Sequence, residues 1–250
     1  MEDLAIEVYG DTFVARGRDE LELDRYVFSE PGIRGRVSTR LVVTDDAGYD
    51  RLVAEVATPR PALVMVFEQA ARCHASLRGA PGWSEERTEL AMVLPDIQAA
   101  TGAALPDGLS LRPVNRAATE VPETVSLNEA AAVAVASDPG ITDPPDTVAW
   151  HLARWPSSIR ILAAVDESGV AHATSACHVF GEYTQIFFVN TEPAWRRRGI
   201  GGAMTSEALK AAAALGARQA FLHATEDGAP VYKRLGFEVA GLVTRYSYSS

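Results

Sequence analysis

The sequence predicts an α/β fold of the mixed-sheet (α+β) kind, and three observations carry that prediction. An apolar strand, Gln185-Ile186-Phe187-Phe188-Val189, runs toward the cationic, glycine-rich turn Arg196-Arg197-Arg198-Gly199-Ile200-Gly201-Gly202-Ala203. That turn opens a helix, because Ile200, Met204, Ala208, Ala211, Ala212 and Leu215 recur at helical spacing until Gly216 stops them. Ahead of it, residues 159–165, 171–180 and 183–189 form a strand meander around the turns Glu167-Ser168-Gly169 and Gly181-Glu182.

The other elements follow in order. Residues 37–44 read as a strand, 49–56 as a helix, 62–67 as a strand and 68–77 as a helix. Gly82-Trp83 then precedes a strand at 89–94. A turn at Pro106-Asp107-Gly108, after a run of small residues, divides the chain into 1–105 and 106–250. Beyond it, 109–114 reads as a strand, and Ser126 with Glu129 forms a capping-box pattern before an Ala/Val-rich helix through Ala136. A loop rich in proline and aspartate, 138–146, leads to a helix carrying Val148, Trp150, Leu152 and Trp155. After the glycine-turn helix come a strand at 220–224, a short helix around Tyr232 and a last strand at 237–248.

Composition narrows the function classes. A chain of 250 residues holds one large domain or two small ones, each able to bury a core. The formal charge of -10 argues against nucleic acid as a partner, since phosphate backbones are held by basic surface. Against that background the three consecutive arginines are a local exception. No apolar run is long enough to cross a bilayer and Met1-Glu2-Asp3 does not resemble a signal peptide, so neither a membrane nor export is expected, and cytoplasmic is the default location. Two cysteines, Cys73 and Cys177, make no disulfide framework. Cys177 and His178 are neighbours on a strand and point to opposite faces, so no metal site is expected there.

The turn has the chemistry of an anion site. Helix-start N–H groups lack intrahelical partners, glycine lets a diphosphate come close, and arginines add positive charge. A dinucleotide fingerprint would need a third glycine where Met204 stands, and a P-loop would need Gly-Lys-Ser/Thr, which does not occur. The run does fit R/Q-x-x-G-x-G/A through Arg196, Gly199 and Gly201. A second segment, Tyr232-Lys233-Arg234-Leu235-Gly236-Phe237, fits Y-x-x-L-G-F after the next strand. In these two motifs the chain resembles the GCN5-related N-acetyltransferases, the GNAT family.

The resemblance implies a GNAT-like acyl-CoA transferase fold and direct transfer of an acyl group from acetyl-CoA, as cosubstrate, to an amine. In the family the strand before the loop splays from its neighbour; here that strand end is Phe188 and Val189, with the Val189 N–H as candidate oxyanion donor. Arg196, Arg197, Arg198, Gly199, Ile200, Gly201, Gly202 and Ala203 would hold the diphosphate. Tyr232 matches the position that often protonates the departing thiolate. The family's glutamate base falls at Gln185, which cannot accept a proton, so Glu182 and His178 stand as substitutes. The acceptor is a small-molecule or protein amine, its pocket expected from 138–146 and the helix around Trp150 and His151, and a homodimer is allowed for. Residues 1–105 echo part of the element order, with Pro31 to Arg36 imitating the phosphate turn, and read as a degenerate partial GNAT-like domain. Two other readings stand beside this one: a nucleotide- or dinucleotide-binding oxidoreductase, which the missing third glycine and the meander before the loop both disfavour, and a non-catalytic acyl-CoA sensor or scaffold that keeps the loop and lacks a base.

Overall fold

The structure, a computed structural model, describes residues 40–43, 46, 63–116, 121, 123–155 and 158–248. Its strands in chain order are β1 (Arg40–Val43), β2 (Leu63–Phe67), β3 (Trp83–Leu94), β4 (Ser110–Asn115), β5 (Val125–Ser126), β6 (Ile159–Val165), β7 (Ala171–Phe180), β8 (Tyr183–Thr191), β9 (Gln219–Ala224) and β10 (Glu238–Tyr248). The helices are α1 (Ala71–Gly79), α2 (Leu127–Ser137), α3 (Pro145–Ala153), α4 (Ile200–Ala214) and α5 (Ala229–Arg234). The expected helix at 49–56 and the turn at 31–36 lie outside the described residues.

Contacts divide the chain into two compact units. As far as they are described, the first comprises 40–92, 223–229 and 239–248, and the second 93–222 and 230–238. The cut therefore falls at Val93 rather than at the turn Pro106-Asp107-Gly108, and the last strand belongs with the N-terminal unit. The reason is pairing: β10 runs antiparallel to β2, Val243 facing Phe67 and Ser247 facing Leu63. In this unit the strand order is β1-β2-β10-β3, with β1 parallel to β2. β3 starts at Trp83, earlier than the expected Glu89, because its exposed first half pairs through polar contacts that leave no apolar alternation to read. Thr88 and Thr244 hydroxyls meet at 3.0 Å and Arg245 pairs with Glu86 at 3.1 Å. α1 buries Cys73 and Leu77 in a core with Val66, Ala70 and Tyr246.

The second unit carries the glycine turn. Its strand order is β9-β8-β7-β6-β4-β5; the β4–β6, β6–β7 and β7–β8 pairs are antiparallel and β8–β9 is parallel. This is the mixed sheet that the meander and the strand-turn-helix unit predict. β7 is buried nearly end to end because helices cover both its faces. Ala171 and Ala176 pack with Ala130 and Val133 of α2, while Ala173 packs with Ile200 and Met204 of α4. Small side chains let the helices approach closely, and the Ser175 hydroxyl donates to the Met204 carbonyl at 2.9 Å. No helix among the described residues is long and apolar enough to cross a membrane.

Candidate acyl-donor site

β8 leaves regular pairing on both edges toward its C-terminal end. On one side its parallel register with β9 covers Tyr183 to Gln185 only, though the strand runs on to Thr191. On the other, Ala176 faces Phe187 but Thr174 faces Asn190, which leaves Phe188 and Val189 opposite Ser175 alone. Two residues against one make a bulge that turns the backbone out of the ladder. Phe188 sits at φ 54°, a left-handed conformation that costs a bulky residue about 1–2 kcal/mol. Two donors hold it there: the Thr174 hydroxyl at 3.0 Å and the Asn190 amide at 3.1 Å both reach the Phe188 carbonyl. The Phe188 ring packs edge-on against Trp155, centroids 5.5 Å apart.

The chain then makes a short 3-10 turn, Pro193–Trp195, and enters the glycine run. Arg197 (φ 62°) and Gly199 (φ 79°) are both left-handed, an alternation that points successive amides to one side. Gly199 is the N-cap of α4 and supplies no side-chain cap, so the first-turn amides of Ile200, Gly201 and Gly202 have no intrahelical acceptor. Ala203 differs from its expected role: its N–H already donates to the Gly199 carbonyl at 3.0 Å and its methyl is buried. Arg196 differs too. Its Nε donates to the Thr191 carbonyl at 3.0 Å and its Nη2 to the Ser137 carbonyl at 2.6 Å, so it ties the turn to β8 and to the end of α2 rather than acting as mobile charge. Arg198 donates to the Ala194 carbonyl at 3.2 Å and lies 4.8 Å over the Trp195 ring. Among the described residues no hydrogen bond of the Arg197 side chain is found, and it is exposed.

Tyr232 lies half-buried on α5. Its carbonyl accepts from Leu235 and Phe237, and its ring meets Phe237 edge-on at 6.1 Å. The neighbouring Val231 approaches the first turn of α4: a Cβ on Gly202 would stand 3.6 Å from Val231 Cγ1. Thus α5 abuts the glycine turn and brings Tyr232 to that end of the unit. The turn after Leu235 needs Gly236, whose φ is 100°.

The two proposed bases are elsewhere. Glu182 is exposed in the turn that starts β8, seven residues from Val189, or about 23 Å along an extended strand. Its carbonyl is held by the Arg218 and Gln219 amides at 2.7 and 3.0 Å. His178 faces Gln185 across the ladder, about 13 Å from Val189 on the same reckoning. It is 2% exposed, its Nε2 is 2.8 Å from the Ser158 hydroxyl, and its ring packs on Phe180 at 3.8 Å. Both residues thus stand toward the start of the motif strand, away from Val189 near its other end. Cys177 beside it is a buried thiol whose pKa burial pushes up to about 11, inert as a nucleophile.

Four residues escaped the sequence reading: Thr174 and Asn190, which hold the bulge; Ser137, whose carbonyl receives Arg196; and His172, described below. Among the described residues no group of His, Cys, Asp and Glu is arranged to hold a metal ion.

Comparison with known proteins bears on the fold. Residues 157–239 match the acetyltransferase (GNAT) domain family. A GCN5-related N-acetyltransferase from Kribbella flavida is similar with a TM-score of 0.53 at 20% identity, over 75% of this chain and 68% of that one. One from Sphaerobacter thermophilus gives 0.52 at 21%, over 80% and 63%. A tandem GNAT protein from the clavulanic acid biosynthesis pathway gives 0.52 at 14%, over 74% and 63%. The chain thus spans less than two thirds of the last two. At these identities the likeness is one of fold, and no curated protein matches the sequence.

Proposed function

We propose, from the match of residues 157–239 to the GNAT acetyltransferase domain family, that this protein moves an acetyl group from acetyl-CoA directly to an amine. The observation that carries the reading is continuity: the opened end of β8, the strained bulge at Phe188 and the uncapped start of α4 follow one another along a single stretch of chain. Acetyl-CoA supplies the activated acyl group; the protein's residues bind and orient it. The amides of Ile200, Gly201 and Gly202 take the diphosphate, with the Arg197 and Arg198 side chains neutralising charge and Arg196 holding the turn in shape. The Val189 amide, turned from the ladder by the bulge, polarises the thioester carbonyl. Tyr232 gives a proton to the departing thiolate, and the proton shed by the acylated nitrogen returns through solvent to the phenolate; a free phenol near pKa ~10 and a free thiol near ~8.5 make that transfer feasible.

Glu182 and His178 have no place in this scheme, and no described side chain is assigned as base. The amine enters in its neutral form. For a lysine-like amine with pKa ~10.4, kcat/KM then rises about tenfold per pH unit below that value. Thiol release with acetyl-CoA and a panel of small and protein amines tests the proposal. Tyr232→Phe is expected to lower turnover at least about tenfold with CoA binding retained; unchanged turnover removes Tyr232 from the mechanism. Gln185 at the base position favours a second reading, a non-catalytic acyl-CoA sensor or scaffold, which predicts CoA binding without thiol release from any amine. The described β1, β2, α1 and β3 support reading the N-terminal part as a degenerate partial GNAT-like domain.

A further inference from the structure

Resting on the acyl-CoA reading above, we propose that His172 is a positioning residue of the diphosphate site, an imidazolium that offsets the carboxylates beside the glycine turn and seats Trp195. His172 lies on β7 and is 8% exposed. Its Nδ1 is 2.7 Å from Glu192 Oε2 and its Nε2 is 3.0 Å from Asp166 Oδ2. A neutral imidazole carries one N–H and an ionised carboxylate only accepts, so both bonds together require the doubly protonated ring. Asp166 is held ionised: its other oxygen accepts from the Ser168 hydroxyl at 2.6 Å and from the Ser168 and Val170 amides at 2.9 and 3.0 Å. The Ser168 hydroxyl first, and then His172, keep that carboxyl well below its usual range. Burial disfavours charge on His172, but the bonds to Asp166 and Glu192 outweigh it and raise the pKa.

The same ring governs the approach to the turn. It stacks on Trp195 with centroids 4.1 Å apart and planes 18° apart, and the Glu192 amide donates to the His172 carbonyl at 2.9 Å. Backbone, carboxylate and indole of the segment that feeds Arg196 are thus all held by one residue. The charges around it are Asp166 and Glu192 on its two nitrogens, Arg198 over the shared indole, and Arg112 and the exposed Glu167 at the Asp166 turn, where a Cβ on Gly169 would stand 3.6 Å from Arg112 Nη1. With His172 charged, the two carboxylates leave one net negative charge in this trio; with it neutral they leave two, next to a site for a diphosphate. A residue whose folded pKa is raised keeps its cation below the unfolded value and loses it as pH rises through the folded value. CoA affinity therefore weakens as pH rises through that raised value.

The test is the pH dependence of CoA binding by the full chain, measured calorimetrically between pH ~6 and ~9. Wild type is expected to lose about fivefold in affinity across that range. In Asp166→Asn the new carboxamide keeps the oxygen that accepts from Ser168 and Val170, while its NH2 donates to Nε2 and favours the neutral ring; the midpoint should move down by about one pH unit. His172→Gln should flatten the profile. A flat wild-type profile, or a midpoint unmoved in Asp166→Asn, overturns the proposal, because a purely structural histidine would give either. Nitrogen-15 NMR of His172 supplies a readout independent of CoA: a ring that titrates at or below the ordinary ~6.5 also overturns it. CoA binding with a flat profile sinks this inference alone, whereas no CoA binding at any pH removes the acyl-CoA reading as well.

Discussion

Two helices in the same unit begin in opposite ways. At α2 the Ser126 hydroxyl accepts from the Glu129 amide at 3.2 Å, while the Glu129 carboxylate accepts from the Ser126 amide at 2.8 Å and its hydroxyl at 2.7 Å. The helix closes its own donors. At α4 the cap is Gly199, the first turn holds Ile200, Gly201 and Gly202, and it contains no acidic residue. No side chain there can perform the closure that Glu129 performs. The difference teaches where a ligand is expected: α2 has no further use for an anion, while α4 presents three amides to one, with Arg197 and Arg198 alongside.

The comparison can be broken most strongly at Gly199. Gly199→Val places a β-branched residue at φ 79°, where it is strained whatever the space around it. We expect a stability loss of about 1–2 kcal/mol and CoA affinity reduced by at least about thirtyfold, read by thermal unfolding and calorimetry. Gly199→Asn sharpens the point. Asparagine tolerates the left-handed region and its side chain can satisfy helix-start amides, so α4 would become self-capped as α2 is. Stability should hold while CoA affinity drops about fivefold, since the anion now competes with a local acceptor; unchanged affinity would mean that the uncapped amides do not bind the donor. Arg197→Ala should weaken CoA about threefold and reduce the salt dependence of binding, being a single exposed charge. The smallest effect on the site is expected from Ser126→Ala, which should cost about 1 kcal/mol of stability and leave CoA affinity within twofold.

Much of this was legible in the chain. The capping box of α2 and the glycine start of α4 depend on residues at most a few positions apart, and both stand where the spacing puts them. The place of Glu182 was legible too, since a nine-residue strand must carry its first turn far from its last residues. The hairpin register was not. Counting back from the paired Phe180 and Tyr183, a regular ladder would set Thr174 opposite Val189; the bulge sets it opposite Asn190 instead. That one-residue slip makes the Thr174 and Asn190 clamp on Phe188, and nothing in the local sequence announces it.

By itself, then, the sequence determined the order of elements and the uncapped helix start, because these follow from short-range backbone chemistry and periodicity, while the resemblance to a family marked Arg196 to Gly202 and Tyr232. Only the tertiary structure decided that Arg196 is a tie and not a free charge, that Phe188 is strained, that His178 is a core residue and that His172 stands between Asp166 and Glu192. Those outcomes depend on residues far apart in the chain, Arg196 on Ser137 and His172 on Glu192. Charge state and conformational strain at such places are set by burial and register, and these exist only once the sheet has formed.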